Sequence, residues 1–207
     1  MPIRAAKRVV FVAALAPALW LVYAALTDGL GANPIDKITD ETGTWTLRLL
    51  VGSLAITPVR RVTGWNGLIR FRRMLGLFAF FYACLHFSTY VVLDQFFAMD
   101  AIVADVIKRP YITVGFTGFV LMIPLALTST AASIQRLGGR NWQRLHRLAY
   151  VSAMAGVVHY WWLVKADTTR PMRYGTVLAV LLGARLLWAW QRSSRARLAG
   201  DGVARRA

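Results

Sequence analysis

The three histidines are the residues of this chain best suited to bind a metal or move a proton. His146 and His159 lie thirteen residues apart, at the two ends of a largely apolar segment, and His86 lies in a second apolar stretch. Neutral imidazole is a common metal ligand and titrates near neutral pH. Cys84 is the single cysteine, which excludes an internal disulfide and a cysteine-rich metal cluster. What the imidazoles can bind depends on the elements that position them.

The histidines belong to a chain with about six apolar runs. Hydrophobic residues make up 57% of the 207 residues, and the mean hydropathy is +0.48. A helix needs about 20 apolar residues to cross a bilayer, and the runs lack the strict alternation of strands. The sequence therefore predicts a single-domain, all-α integral membrane protein, a bundle of about six transmembrane helices. The runs lie at about 9–26, 45–59, 71–93, 111–128, 148–164 and 174–190.

Two of these runs differ from a simple membrane-spanning helix. The run at 45–59 is short and carries Arg48, so tilt or flanking residues must complete a span. The first run resembles a signal peptide, because Arg4, Lys7 and Arg8 precede it. Residues 22–24 are a poor cleavage signal, however, and five more apolar runs follow, so we expect the first helix to be retained.

The positive charge is distributed unevenly between the two sides of the predicted bundle. Of the 25 Lys and Arg residues, 17 fall at the N-terminus and near 60–73, 136–147 and 192–206, where Asp201 is the one acid. The opposite side holds seven basic residues and the other eight acids. This is the positive-inside pattern, which predicts that both termini are cytoplasmic. The net charge of +16 therefore reflects topology and contact with lipid headgroups, and we expect no nucleic-acid partner.

Depth in the membrane pairs two of the histidines. His86 lies about 15 residues after the inner end of its run, and His159 lies 13 after His146. At about 1.5 Å per residue both are roughly 20 Å above the inner boundary. Two imidazoles at one depth on parallel helices can ligate one iron from opposite faces of a haem. A zinc or copper site is less favoured, because the nearest acid to His86, Asp94, lies two turns away.

His146 has no histidine at its own depth, near the inner surface. The matching level of the third run is near Arg72, which is not a metal ligand. Three interpretations stay open: a second haem with an unusual sixth ligand, a flavin or quinone headgroup, and a helix cap at an Arg-rich surface.

Local motifs connect the chain to a known family. The segments "RRMLGLFAFFYACLHFSTYVVLD" (72–94), "KRPYITVGFTGFVLMIPLALTST" (108–130) and "LGGRNWQRLHRLAYVSAMAGVVHYWWLVKAD" (137–167) resemble the MsrQ (YedZ) family, and "NPID" (33–36) and "TPVRR" (57–61) fit it too. The likeness covers nearly the whole chain. The family is part of the superfamily that has the ferric reductase and NADPH oxidase transmembrane domain.

The resemblance implies a function and its cofactors. Proteins of this family are haem-binding subunits in the bacterial inner membrane, which pass electrons from the quinone pool to MsrP. MsrP is a periplasmic molybdopterin enzyme that reduces methionine sulfoxide in oxidised proteins, so the sulfoxide-reducing site is expected on that partner. The family binds b-type haem, and FMN as well. His86, His146 and His159 match its three histidines.

Several arginines are secondary candidates for cofactor binding. The inner cluster would complement a flavin phosphate, although positive-inside anchoring is the favoured explanation for it; it comprises Arg72, Arg73, Arg140 and Arg144. Arg48 would neutralise a haem propionate or anchor the chain at the outer interface. Arg185 lies in the middle of the last run, where it needs a partner or must extend to the inner face.

Two other functions compete with the family function. A stand-alone ferric or metal reductase normally carries a flavin- and nicotinamide-binding domain after the last helix. About 17 residues follow Trp190, without a Gly-rich nucleotide motif, so such a reductase would need an external cytoplasmic flavin reductase. A non-redox membrane protein would use its histidines structurally. For a periplasmic partner, the outer loops 28–44, 94–109 and 165–173 are the expected docking surface.

Overall fold

The described part of the chain consists of helices. The computed structural model describes residues 3–164 and 166–204, with 195–204 as backbone only. Within these residues there is no strand, so the predicted all-α class is confirmed. The helices are α1 (Ile3–Leu26), α2 (Pro34–Thr63), α3 (Ile69–Ser88), α4 (Met99–Lys108), α5 (Pro110–Leu127), α6 (Ala131–Leu137), α7 (Gly139–Leu145), α8 (Leu148–Leu163) and α9 (Thr169–Ala204).

Two antiparallel helix pairs organise the bundle. α2 packs along α3, and α5 packs along α8, and these are the two most extensive helix contacts. Contacts of α3 with α5 and of α2 with α8 join the pairs, and α9 packs against α2 and α8. The core lies between them, around Leu54, Ala79, Tyr82 and Ala153, which are almost completely buried.

Four of the six predicted spans have a helix that is long and apolar enough to cross a membrane. These are Ile3–Leu26, Asn66–Asp94, Pro110–Leu127 and Thr169–Ser194. Their outer surfaces carry exposed apolar side chains, such as Val12 and Leu186, which a bilayer would cover. The chain is therefore a multi-pass membrane protein. That α2 and α8 also cross stays a prediction, because α8 has 16 residues and α2 carries charges in its first two turns.

The short second run proves to be part of a longer helix. The helix α2 has 30 residues, so it extends N-terminal to the predicted run as far as Pro34. Proline suits the first turn of a helix, where its missing N–H is not needed. At the other end Gly64 takes a left-handed φ of 72° and donates its N–H to the Arg60 carbonyl, a glycine-terminated helix end.

The connections contain structure that the apolar pattern did not predict. The loop 94–109 contains α4, which the Tyr90 hydroxyl joins to the bundle by donating to Asp105 at 3.1 Å. A π-helical turn, Thr89–Asp94, ends the predicted third run after α3. The connection between α5 and α8 contains α6 and α7. Short helices like these do not stand out in a search for long apolar runs.

Arg185 finds its partners inside the bundle. Its two terminal guanidinium nitrogens donate to the Tyr150 hydroxyl at 2.6 Å and to the Leu54 carbonyl at 2.7 Å. That carbonyl would normally accept from the N–H of the residue four positions later, but this residue is Pro58, which has none. The arginine therefore satisfies an acceptor that the proline frees.

Part of the charge pattern used for the topology falls outside the described residues. Lys165, Arg205 and Arg206 lie there, and so do the side chains of Arg195, Arg197 and Asp201. The orientation of the termini stays a prediction.

Candidate functional site

The first imidazole of the site is fixed by the α2–α3 pair. His86, near the end of α3, has its Nδ1 at 3.0 Å from the Thr39 carbonyl oxygen of α2. A carbonyl can only accept, so Nδ1 carries the proton and Nε2 keeps its lone pair. The Thr42 hydroxyl lies 3.4 Å from the same Nδ1 and donates its own proton to the Ile38 carbonyl. It therefore reinforces the same tautomer.

The second imidazole is fixed in the same manner by the α5–α8 pair. His159, near the end of α8, donates its Nδ1–H to the Tyr111 carbonyl at 2.7 Å. This short hydrogen bond again leaves Nε2 unprotonated. Histidines that ligate metals typically hold their other ring N–H in such a bond, which fixes ring orientation and raises ligand basicity.

The two rings lie at the distance that a shared metal requires. Their centres are 6.1 Å apart and their planes are inclined by 79°. With a metal–nitrogen bond of about 2 Å and about 1 Å from nitrogen to ring centre, two imidazoles on opposite sides of one metal have centres roughly 6 Å apart. The structure therefore brings together the two rings that were expected to pair by depth, and their ligation of one haem stays a prediction.

The donor set around the rings fits a haem better than a bare ion. Within the described residues, no group of three or more His, Cys, Asp or Glu side chains lies close enough together to hold a metal. Two imidazoles alone leave most of the coordination sphere empty, whereas a haem brings four equatorial nitrogens and needs only axial ligands. An open surface depression of about 360 Å³, lined by Pro110, Tyr111 and Trp162, lies beside the second imidazole's carbonyl partner.

His146 lies apart from this pair, at the opposite end of α8. Its ring stacks on Trp142 with centres 3.9 Å apart, and its Nε2 is 3.2 Å from the Thr128 hydroxyl. Because that hydroxyl donates to the Pro124 carbonyl, the imidazole Nε2–H must be the donor to it. Burial, and secondarily the charge of Arg72, lower the pKa of His146, so the ring is held neutral.

The candidate arginines differ in burial and in their contacts. Arg72 is half-buried, whereas Arg73, Arg140 and Arg144 are exposed. Arg48 is exposed as well: its Nε donates to the Tyr174 hydroxyl at 3.1 Å, and its guanidinium lies 4.8 Å from the Trp45 ring centre. Their roles toward a flavin or a haem propionate stay predictions.

Comparison with known proteins identifies the family. Residues 42–157 match the family model described as ferric reductase like transmembrane component. The protein-methionine-sulfoxide reductase heme-binding subunit MsrQ of Herminiimonas arsenicoxydans is 57% identical over 191 residues, which are 91% of this chain and 88% of that protein. The chain belongs to the MsrQ family.

Other MsrQ proteins give the same result over nearly full length. The subunit with this name from Ralstonia nicotianae is 51% identical over 97% of this chain and 94% of its own length. That from Rhodospirillum rubrum is 48% identical over 94% and 93%. No solved structure matches the chain.

Sequence reasoning found the three histidines of this MsrQ chain but missed the groups that hold them. The acceptors of His86 and His159 are backbone carbonyls, of Thr39 and Tyr111, which no residue type encodes. The Trp142–His146 stack was detectable, since aromatic residues four apart lie on one helix face.

Proposed function

We propose that this chain is the haem-binding membrane subunit of a protein-methionine-sulfoxide reductase system. The observation that carries the proposal is the pair of imidazoles, His86 and His159, with ring centres 6.1 Å apart and both Nδ1 atoms bound to carbonyls. Membership of the MsrQ family supports it, because the relatives carry this function in their names.

The two histidines would hold a b-type haem by its axial positions. Each presents an unprotonated Nε2, while the carbonyls of Thr39 and Tyr111 keep the rings from rotating. A bound haem supplies one-electron chemistry, with a potential set by its axial ligands and by the low-dielectric surroundings. With both imidazoles bound to it, such a haem would have no open site for oxygen or another ligand.

The charge pattern supports an orientation in the bacterial inner membrane. With both termini cytoplasmic and six helices crossing, including α2 and α8, the basic clusters face the cytoplasm. The His86–His159 pair then lies in the outer half of the bilayer. This depth suits delivery of electrons to a periplasmic molybdopterin partner, MsrP, which would reduce methionine sulfoxide in oxidised proteins.

Electron entry is assigned to the inner half. Quinol from the respiratory pool is the proposed donor, and FMN is a further proposed cofactor. His146, held neutral beside Arg72, is the candidate for contact with the entering cofactor, whether flavin, quinone or second haem. The exposed arginines at 73, 140 and 144 are available to bind a phosphate. Loops 28–44, 94–109 and 165–173 form the proposed docking surface for the partner.

The test is a reduced-minus-oxidised visible spectrum of the detergent-purified full chain, with haem quantified against protein. We expect a low-spin b-type signal that disappears in His86→Ala and in His159→Ala. His146→Ala is the matched control, because it removes the third histidine from the other end of α8: the low-spin signal should persist. Reoxidation of the reduced chain by the molybdopterin partner with methionine sulfoxide then tests electron delivery.

Two results would contradict the proposal. A chain that stays colourless when produced with ample haem would favour a non-redox membrane protein. A haem lost in His146→Ala and kept in His86→Ala would show that the pairing is wrong.

A further inference from the structure

The two imidazoles of the candidate haem site share an unusual local geometry. Each donates to a carbonyl on the neighbouring helix, and in each case the residue four positions later on that helix is a glycine. On α2 the carbonyl is that of Thr39 and the glycine is Gly43. On α5 the carbonyl is that of Tyr111 and the glycine is Gly115. Residues four apart lie one above the other on a helix face, so the imidazole that reaches the carbonyl passes over the glycine.

A side chain at either glycine would collide with the imidazole. A Cβ atom at Gly115 would lie 2.6 Å from His159 Nδ1 and 2.9 Å from its Cε1 and Cγ atoms. A Cβ atom at Gly43 would lie 3.0 Å from His86 Cε1 and 3.1 Å from its Nδ1. The distances at Gly115 are too short for any real contact, so the ring of His159 would have to move. The distances at Gly43 are tight, and a shift of the His86 ring by a few tenths of an ångström would relieve them.

Other helical glycines of the bundle do not have this environment. A Cβ atom at Gly52, on the same helix α2, or at Gly183, on α9, would meet no atom within 4 Å. Glycine within a helix is unfavourable relative to alanine, so alanine would suit helix formation better at all four positions. The absence of a side chain at Gly43 and Gly115 has a local use that Gly52 and Gly183 lack.

We propose that Gly43 and Gly115 are positioning residues for the axial histidines: the missing side chains let each imidazole approach its carbonyl, and this sets the direction of Nε2 toward the metal. The inference rests on the proposed haem-binding function. Both glycines act through the histidine that packs on them. Because the collision is more severe at Gly115, that position is the stricter of the two.

The consequence for the ligand follows from the hydrogen bond. Donation from Nδ1 to a carbonyl raises the basicity of Nε2 and fixes the ring plane. Alanine at 115 would push the ring of His159 away from the Tyr111 carbonyl, so the bond would lengthen and Nε2 would turn. Loss of such an outer-shell partner typically lowers metal affinity by about 10–100-fold. At Gly43 the ring of His86 can yield, so the bond weakens while the ligand stays in place.

The experiment compares four full-length chains purified in detergent: wild type, Gly52→Ala, Gly43→Ala and Gly115→Ala. Haem occupancy, the low-spin spectrum and the midpoint potential are measured, with far-UV circular dichroism as the check on folding. Gly52→Ala should behave as wild type. Gly115→Ala should lose occupancy at least about 10-fold or become high-spin, while its helical content is unchanged. Gly43→Ala should keep low-spin haem with a raised midpoint potential, since a weaker hydrogen bond makes the imidazole a poorer donor.

The outcomes separate this inference from the function beneath it. If wild type carries low-spin haem and both Gly43→Ala and Gly115→Ala match it in occupancy and potential, the glycines have no positioning role, although the proposed function stands. If Gly115→Ala fails to accumulate, the potential of Gly43→Ala decides: an unchanged value refutes the inference and a raised one supports it. A wild-type chain without haem would overturn the proposed function itself.

Discussion

The pairing of Arg185 with the carbonyl freed by Pro58 gives a quantitative prediction about stability. The guanidinium donates to the Leu54 carbonyl at 2.7 Å, and the proline four residues later removes the N–H that would otherwise do so. Replacing Pro58 with alanine supplies that N–H. Arg185 should then contribute less to the free energy of unfolding, so Arg185→Met and Pro58→Ala should be coupled in a double-mutant cycle.

The magnitude follows from the cost of an unpaired carbonyl. A hydrogen bond to a charged group is worth about 1.5–3 kcal/mol, and a buried acceptor left unpaired costs about 1–3 kcal/mol. Arg185→Met also removes the cost of holding a charge in an apolar helix, about 2.5–3.5 kcal/mol on insertion scales. That second effect is the same in both backgrounds and cancels in the cycle. Since hydrogen bonds measured within membrane bundles reach about 1.7 kcal/mol, we expect a coupling free energy of about 1–2 kcal/mol.

The assay is equilibrium unfolding in mixed micelles, followed by far-UV circular dichroism, for wild type, both single variants and the double variant. Pro124→Ala provides the matched control, because it removes another helix-interior proline, in α5, away from the bonds of Arg185. The reasoning is refuted if the cycle with Pro58 is additive within about 0.5 kcal/mol. It is refuted as well if the Pro124 cycle shows equal coupling.

Two further predictions concern buried polar groups. The Tyr82 hydroxyl is inserted into α1, where it donates to the Ala14 carbonyl at 2.8 Å and accepts from the Ala18 N–H at 3.0 Å. Tyr82→Phe should therefore lower the free energy of unfolding by about 1–2 kcal/mol. A change under about 0.5 kcal/mol would contradict this. Burial and the Arg72 charge lower the pKa of His146 below its ordinary value of 6.5, so the unfolded chain binds a proton there before the folded one does. The free energy of unfolding should therefore fall as pH drops below about 6.5. In haem-free chains, His146→Gln should make this fall shallower. An equal pH dependence in the variant and the wild type would contradict the assignment of the effect to His146.

How far the sequence determined the site can be judged from the histidines. The depth of His86 and His159 followed from counting residues along two helices, because the rise per residue is fixed, and the structure places the rings together. Counting could not reveal which atoms hold the rings, since the acceptors are main-chain oxygens. His146 shows what counting residues does not determine. Its depth was predictable, but its stack on Trp142 and its hydrogen bond to Thr128 depend on how α7 turns into α8.

The sequence also predicted the fold only in part. Long apolar runs predicted the principal helices, because a bilayer requires about 20 apolar residues per span. Helix α4 was missed because its ten residues are too few to stand out in a search for apolar runs of membrane length. The partner of Arg185 was also missed, although Pro58 was visible in the sequence, because the link between them depends on which helices pack together.

A rule about helix carbonyls connects these observations. Within the described residues, five carbonyls accept a hydrogen bond from a side chain of another helix while the residue four positions later lies in the carbonyl's own helix, and in four of them that residue is glycine or proline. Glycine and proline are only 16 and 7 of the 207 residues. The four pairs are Thr39 and Gly43, Leu54 and Pro58, Arg72 and Gly76, and Tyr111 and Gly115.

The physical reason is that a helix carbonyl already accepts the N–H of the residue four positions later, and the side chain of that residue covers it. Proline lacks this N–H, and glycine lacks this side chain. In the fifth case the residue four positions later is Ala18, and there the Tyr82 hydroxyl donates to the Ala14 carbonyl and accepts from the Ala18 N–H. Lipid satisfies no polar group, so a polar side chain in a membrane bundle needs a partner within the protein. In this bundle, the helix carbonyls that such side chains reach on other helices mostly lie four residues before a glycine or proline.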